Sequence, residues 1–163
     1  MSLEMKELMD TIPQVGSLEW IGVRPSREDP METLQTVEVS LENGLVGDRF
    51  AGKAGSKRQV TFIQKEHLPV IQSILGSDEI QPATLRRNLL VSGINLQSLK
   101  DKNFSVGDAV FQGTGNCPPC SKMEDALGPG GFNAMRGHGG LCATVVKAGK
   151  INIGDEVKLI LDS

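Results

Sequence analysis

NFSVGDAVF, residues 103–111, and KINIGDEVKLI, residues 150–160, are two versions of one phrase. Each has an apolar run, a Gly-Asp pair, and a second apolar run. Glycine reaches conformations closed to other residues and aspartate bonds its own backbone, so each Gly-Asp pair predicts a turn that launches a strand. Two echoes are too few for a solenoid. They do set the fold class, because the rest of the chain is read against a background of short strands and frequent turns.

Outward from these phrases the pattern repeats. Ser17 to Arg24 (SLEWIGVR) predicts a strand stopped by Pro25, and Pro30 closes a charged turn. Leu34 to Leu41 (LQTVEVSL) alternates with period two, the mark of one half-buried strand. GLVGDRF (44–50) leads into the basic glycine loop AGKAGSK (51–57), and Arg58 to Gln64 (RQVTFIQ) is rich in β-branched residues. Leu89 to Val91 is a further strand. The best single helix is His67–Leu75: Leu68, Ile71 and Leu75, with Val70 and Ile74, recur at three and four residues. Pro69 is acceptable in its first turn and Gly76 stops it. Strands outnumber helices, so the expected architecture is mainly β, a strongly bent sheet or small β-barrel with a few short helices. Residues 1–16 form a polar lead able to be a frayed helix, 17–161 one domain, and 162–163 a tail.

The chain has 163 residues with 17 Lys and Arg against 20 Asp and Glu, net charge −3, which fits one globular domain and gives no general reason to bind nucleic acid. Aromatic residues are only 4%, too few for a base-stacking platform. No apolar run approaches the roughly 18 residues of a membrane span, and MSLEMKELMD has no signal core, so the expected location is cytoplasmic, without membrane. Three cysteines are too few for a disulfide framework.

The densest chemistry lies in GTGNCPPCSKMEDALGPGG (113–131). Ser121 and Glu124 fit a capping box, with Gly128 as the stop, so Cys120 stands just before a helix where exposed N–H groups favour a thiolate. The two prolines argue against a Cys117–Cys120 disulfide. Three extended steps of about 3.1 Å would separate the Cα atoms by roughly 9 Å, unless Pro119 is cis. Cys117 is read as packing or as a supporting thiol. Cys117, Cys120, His138 and Cys142 also spell C-x2-C-x17-H-x3-C, close to a structural zinc pattern. The stiff Pro-Pro and the apolar run around Cys142 weigh against it. His67 and His138 read first as surface or loop histidines. Arg49, Lys53, Lys57, Arg58, Arg86, Arg87 and Arg136 read first as solvated charges; several of them converging on Cys120 would make an anion pocket that also lowers the thiol pKa. Neither common nucleotide-binding glycine motif is present.

The succession GLVGDRF, RQVTFI, RRNLLVSGINLQSL, FSVGDAVF, CPPC and MRGHGGLCATVVKAGKINIGDEV resembles the MOSC domain found at the C-terminus of molybdenum-cofactor sulfurases, most of all its small stand-alone bacterial members. The likeness spans roughly residues 17 to 161. It implies a barrel-like β fold with a cleft, and one cysteine that carries sulfur or ligates the molybdenum of a pyranopterin cofactor. That position corresponds to Cys120. Arg49, Arg58, Arg87, Asn88 and Arg136 fall in the family's phrases and are its implied cofactor-binding residues.

The resemblance further implies reduction of N-hydroxylated small molecules at a Cys120-ligated molybdenum, with electrons from separate partner proteins. The alternative is a sulfur carrier, with a Cys120 persulfide serving cofactor or metal–sulfur assembly, its donor again a separate protein. A zinc-stabilised binding module is a further alternative. Larger relatives carry a pyridoxal-phosphate domain; none is found in this sequence, so pyridoxal phosphate is not expected in this chain.

Overall fold

The two Gly-Asp phrases take different parts in the fold. The computed structural model describes residues 3–50 and 52–161; the 162–163 tail lies outside them. In chain order the elements are α1 (Leu3–Asp10), β1 (Gly16–Val23), β2 (Glu32–Leu34), β3 (Thr36–Ser40), β4 (Gly44–Leu45), β5 (Val60–Gln64) and α2 (His67–Leu75). After a 3-10 turn at Pro82–Leu85 come β6 (Leu89–Ser92) and a second such turn at Leu96–Leu99. Then follow β7 (Asn103–Val106), β8 (Ala109–Asn116), α3 (Lys122–Leu127), α4 (Gly131–Met135), β9 (Leu141–Lys147), β10 (Gly149–Asn152) and β11 (Glu156–Leu159).

Seven strands close into a barrel in the order β1, β11, β7, β8, β9, β5, β6 and back to β1. Closure leaves no free edge within the ring. Strand β2 extends it outside β1, and β10, β3 and β4 form a separate small sheet. Strands β5 and β6 run parallel. A parallel pair needs a crossover, and α2 supplies it, which places that helix outside the barrel. Gly76 ends α2 at φ 64°, as its position predicts.

Alternation along the strands sorts side chains into two cores. Phe62, Leu89 and Val91 point inward with Leu18, Phe104, Phe111 and Val157. The rings of Phe104 and Phe111 meet Phe62 edge-on at 5.3 and 5.2 Å. Each such buried ring contributes about 2–3 kcal/mol of apolar burial. Ile63 and Leu90 point outward from the same two strands and pack with Leu68, Ile71, Met123 and Met135 of the helices.

One expectation is corrected. Leu34–Leu41 is not one strand: it breaks at Gln35, because Leu34 pairs with Ile21 of the barrel while Thr36 pairs with Asn152 of the small sheet. Val37 and Val39 are still the buried members of the alternation. Both Gly-Asp turns launch a strand, β8 after the first and β11 after the second. The Gly154-Asp155 turn carries the chain from the small sheet into the barrel, with the Asp155 carboxylate accepting from the Asn152 N–H at 2.7 Å. The two turns lie against each other, the Gly107 N–H donating to the Glu156 carbonyl at 3.3 Å.

Candidate functional site

Four connections converge beside the barrel. Arg24 and Arg27 follow β1, Arg49 and Arg58 lie between β4 and β5, Arg86 and Arg87 precede β6, and Cys120, Ser121 and Lys122 lie at the head of α3. All of them line one cleft of about 360 Å3. A second lobe of about 370 Å3 shares Arg24, Arg49, Arg58 and Arg86 and adds Met31, Asp48, Phe50, Ser56, Gln59, Thr61 and Asn88. The chain contains seven arginines and ten lysines; six of those arginines and one lysine face this space. Like charges so gathered in a chain of net charge −3 form a focused anion field, and the choice of guanidinium over ammonium favours forked hydrogen bonding to oxyanions.

Cys120 is exposed at this cleft. Its placement depends on Arg87, which is only 3% exposed. The Arg87 guanidinium donates from Nε to the Gly139 carbonyl at 2.8 Å and from Nη2 to the carbonyls of Cys117 and Pro118 at 3.3 and 3.0 Å. It therefore ties the Cys-Pro-Pro-Cys segment to the GHGG loop. Closeness there requires glycine: a Cβ at Gly139 would fall 2.0 Å from the Cys117 carbonyl oxygen, and one at Gly140, at φ 103°, 1.9 Å from that of Phe62.

All three thiols are free, and no peptide bond among the described residues is cis, so Cys117 and Cys120 stay apart as the prolines predict. Cys117 and Cys142 form a buried pair instead. Cys142 lies opposite Gly115 on the neighbouring strand, two residues before Cys117, so both thiols share one face as diagonal neighbours. Hydrogen bonding from Cys142 draws Cys117 down to about 6 against its burial, and Arg87 and Arg58 add attraction. Cys142, whose Sγ also lies 4.0 Å from the Asn116 carbonyl oxygen, is pushed up by its bond with Cys117 and by burial.

This arrangement corrects the zinc pattern. Cys120 faces the cleft, Cys117 and Cys142 are buried, and the His138 ring packs on His67 with centroids 5.2 Å apart. Among the described residues no three His, Cys, Asp or Glu side chains gather as a metal-holding set. The capping box is also corrected. Ser121 precedes α3 but has helical dihedrals, φ −58° and ψ −24°, and makes no side-chain cap. The Glu124 carboxylate reaches forward, accepting from the Phe132 N–H at 3.1 Å and the Gly130 N–H at 3.0 Å, and so caps α4. Gly128 ends α3 as predicted.

Of the sequence candidates, Cys120, Arg49, Arg58 and Arg87 come together in the cleft, with Arg86. Asn88 lies in the second lobe with its amide engaged: Oδ1 accepts from the Thr61 N–H and hydroxyl, both at 3.1 Å, and Nδ2 donates to the Gly22 carbonyl. Arg136 is exposed on Asn133 and is not brought to the cleft; Lys53 and Lys57 are likewise exposed outside it. Sequence reasoning missed Arg24, Arg27, Lys122 and Asp48. The signal for Arg24 was its place at the very end of a predicted strand, against Pro25, where a loop that can carry function begins. Asp48 is the one carboxyl lining either lobe. Burial pushes it up, opposed by hydrogen bonds from the Arg49 N–H and Asn88 and by the charge of Arg49.

The barrel that carries this cleft belongs to a known family. The MOSC domain model matches residues 47–158, more than two thirds of the chain, and the chain belongs to that family, one associated with the molybdenum cofactor. Among solved structures, the YuaD protein of Bacillus subtilis is similar with a TM-score of 0.77 at 20% identity, over 90% of this chain and 97% of that one. YiiM of Geobacillus stearothermophilus gives 0.73 at 16% over 90% and 75%, and YiiM of Escherichia coli 0.68 at 18% over 90% and 71%. These likenesses show the fold. No curated protein is significantly similar to the chain. The donor set fits the cofactor that the family is associated with: a soft, accessible thiol for molybdenum and guanidinium groups for a phosphate. No helix among the described residues is long and apolar enough to cross a membrane.

Proposed function

We propose that this chain is a molybdenum-cofactor-binding oxidoreductase that reduces N-hydroxylated small molecules, with Cys120 as the metal ligand. The observation that carries the reading is the exposed Cys120 thiol at the edge of a cleft lined by six arginines. When bound, the cofactor supplies a molybdenum centre competent for two-electron cleavage of an N–O bond. The chain's own residues do the rest. Cys120 would offer its soft sulfur to the metal, and arginines of the cleft would hold the cofactor's phosphate. Arg87 holds the carbonyls of Cys117 and Pro118, at the start of the segment that leads to Cys120. Asp48 is the carboxyl that can carry a proton in the cleft, since burial favours its neutral form. Electrons come from a separate donor protein.

The test is metal content per chain, measured in protein produced with and without an intact molybdenum-cofactor pathway, together with reduction of an N-hydroxylated base by a chemical donor. Near-stoichiometric molybdenum and turnover, both lost in Cys120→Ser, are expected. Protein from the competent host with neither would end the reading. The same exposure of Cys120 favours a second one, a persulfide carrier open to a sulfur-donor protein. Added sulfur mass on Cys120 that disappears on reduction, without molybdenum, is its signature.

A further inference from the structure

The cationic charge around Cys120 exceeds what a single phosphate and a thiolate neutralise. Arg87 is committed to three carbonyls, and Lys122 lies 3.8 Å from Glu28. Arg24, Arg27, Arg49, Arg58 and Arg86 are left with Asp48 as the one opposing lining carboxyl. A thiolate and one terminal phosphate supply about three negative charges. The remaining charge is not spread evenly: four of the five arginines border the second lobe as well as the first. The other polar side chains there are largely engaged. Gln59 donates to the Leu41 carbonyl and accepts from Thr144 and Val145, while Thr61 and Asn88 bond each other. What the lobe presents to a ligand is four guanidinium groups, with the Ser56 side chain and the Asp48 carboxyl beside them.

Arg86 adds an independent sign. Its φ is 60°, a left-handed conformation at the end of a 3-10 turn where glycine is the ordinary choice. Arginine occupies it here, and its Nη2 donates to the Arg27 carbonyl at 2.8 Å, which holds the side chain at the edge of both lobes.

We infer that the second lobe, bordered by Arg24, Arg49, Arg58 and Arg86, is a binding site for a second phosphoryl group, so that the cleft takes a ligand with two phosphoryl groups. The inference extends the proposed function, but simple anions test it without the cofactor. The second group has two sources of the same chemistry: a nucleotide-extended cofactor, or a phosphorylated substrate.

Calorimetric titration of the cofactor-free chain with inorganic phosphate and with pyrophosphate, at one ionic strength, reads the lobe directly. Wild type is expected to bind pyrophosphate at least about tenfold more tightly, as paired guanidinium forks on a second group require. Ser56→Trp fills the second lobe without changing charge and is expected to bring that ratio close to one while phosphate still binds. Arg86→Gly gives the same loss with thermal stability unchanged or raised, since glycine relieves the left-handed strain; it stands alone if Ser56→Trp does not fold. Equal affinities in wild type, or a preference that survives in folded variants, would overturn the inference. The source is then read from cofactor-loaded protein. A released pterin carrying a nucleotide assigns the second group to the cofactor. A plain pterin phosphate with about tenfold higher kcat/KM for an N-hydroxylated nucleoside 5′-monophosphate than for its nucleoside assigns it to the substrate. Neither result counts against the inference. Protein without molybdenum would sink the proposed function and leave the anion titration standing.

Discussion

Arg87 Nε donates to the carbonyl of Gly139 at 2.8 Å across 52 residues of sequence. With its Nη2 on the carbonyls of Cys117 and Pro118, it links the Cys-Pro-Pro-Cys segment that carries the exposed Cys120 thiol to the GHGG loop. Lysine keeps the charge but has no planar fork, so it cannot serve both loops at once. Arg87→Lys is expected to lower stability by about 2–4 kcal/mol, as loss of buried charge-assisted bonds does. Urea unfolding at pH 7 measures it. A change below about 0.5 kcal/mol would show that the carbonyls find other partners.

Gly139→Ala tests the same link from the other side. The new Cβ meets a backbone oxygen, which cannot swing aside as a side chain can, so the loop must shift. A loss of about 1–3 kcal/mol is expected by thermal unfolding, with faster iodoacetamide labelling of Cys120 as its segment loosens.

Cys120 and Cys117 separate function from packing. Cys120→Ser alters an exposed sulfur and is expected to change stability by less than about 0.5 kcal/mol while abolishing molybdenum or sulfur loading. Cys117→Ser disturbs a buried pair and should do the reverse, retaining loading and losing about 1–2 kcal/mol. Equal loss of loading in both would return weight to a paired-thiol site.

The Cys117–Cys142 pair gives a pH signature. Cys117 is drawn down to about 6 by the thiol beside it, so ultraviolet thiolate absorbance should rise through a step there. The step should vanish in Cys117→Ser. In Cys142→Ala the donor is gone and the step moves upward toward an ordinary thiol. A titration without any step below 7 would reject the pairing.

Glu124 links acid stability to the α3–α4 turn. Its carboxyl is held below the ordinary value of 4.5 by the Phe132 and Gly130 N–H groups. A lowered folded pKa means the stabilisation is fully present above 4.5 and is lost as pH falls through the lower folded value. Glu124→Gln should flatten the acid limb of a stability profile taken from pH 7 to 3 and leave the shape of the protein unchanged. Unaltered acid dependence would show that the cap contributes nothing.

Local pattern was enough for much of the fold. A run stopped by Pro25 found β1, β-branched richness found β5, a short apolar run found β6, three- and four-residue spacing found α2 to its end at Gly76, and the Gly-Asp pairs marked both turns. It failed at Leu34–Leu41 because alternation records which residues are buried and not which sheet they join. It failed at Ser121 and Glu124 because a capping spacing cannot say which of two adjacent helices the carboxylate serves.

The sequence by itself determined the family and a mainly β fold, a bent sheet or small barrel, because these are written in contiguous phrases, and it proposed Cys120 from the chemistry of a single residue. The gathering of Arg24, Arg27, Arg49, Arg58, Arg86 and Arg87 was decided only by the tertiary structure, as were the Cys117–Cys142 pair and the exclusion of Arg136. Those relations arise where barrel closure brings loops from distant strands to one cleft, and no local period encodes a distance across the chain.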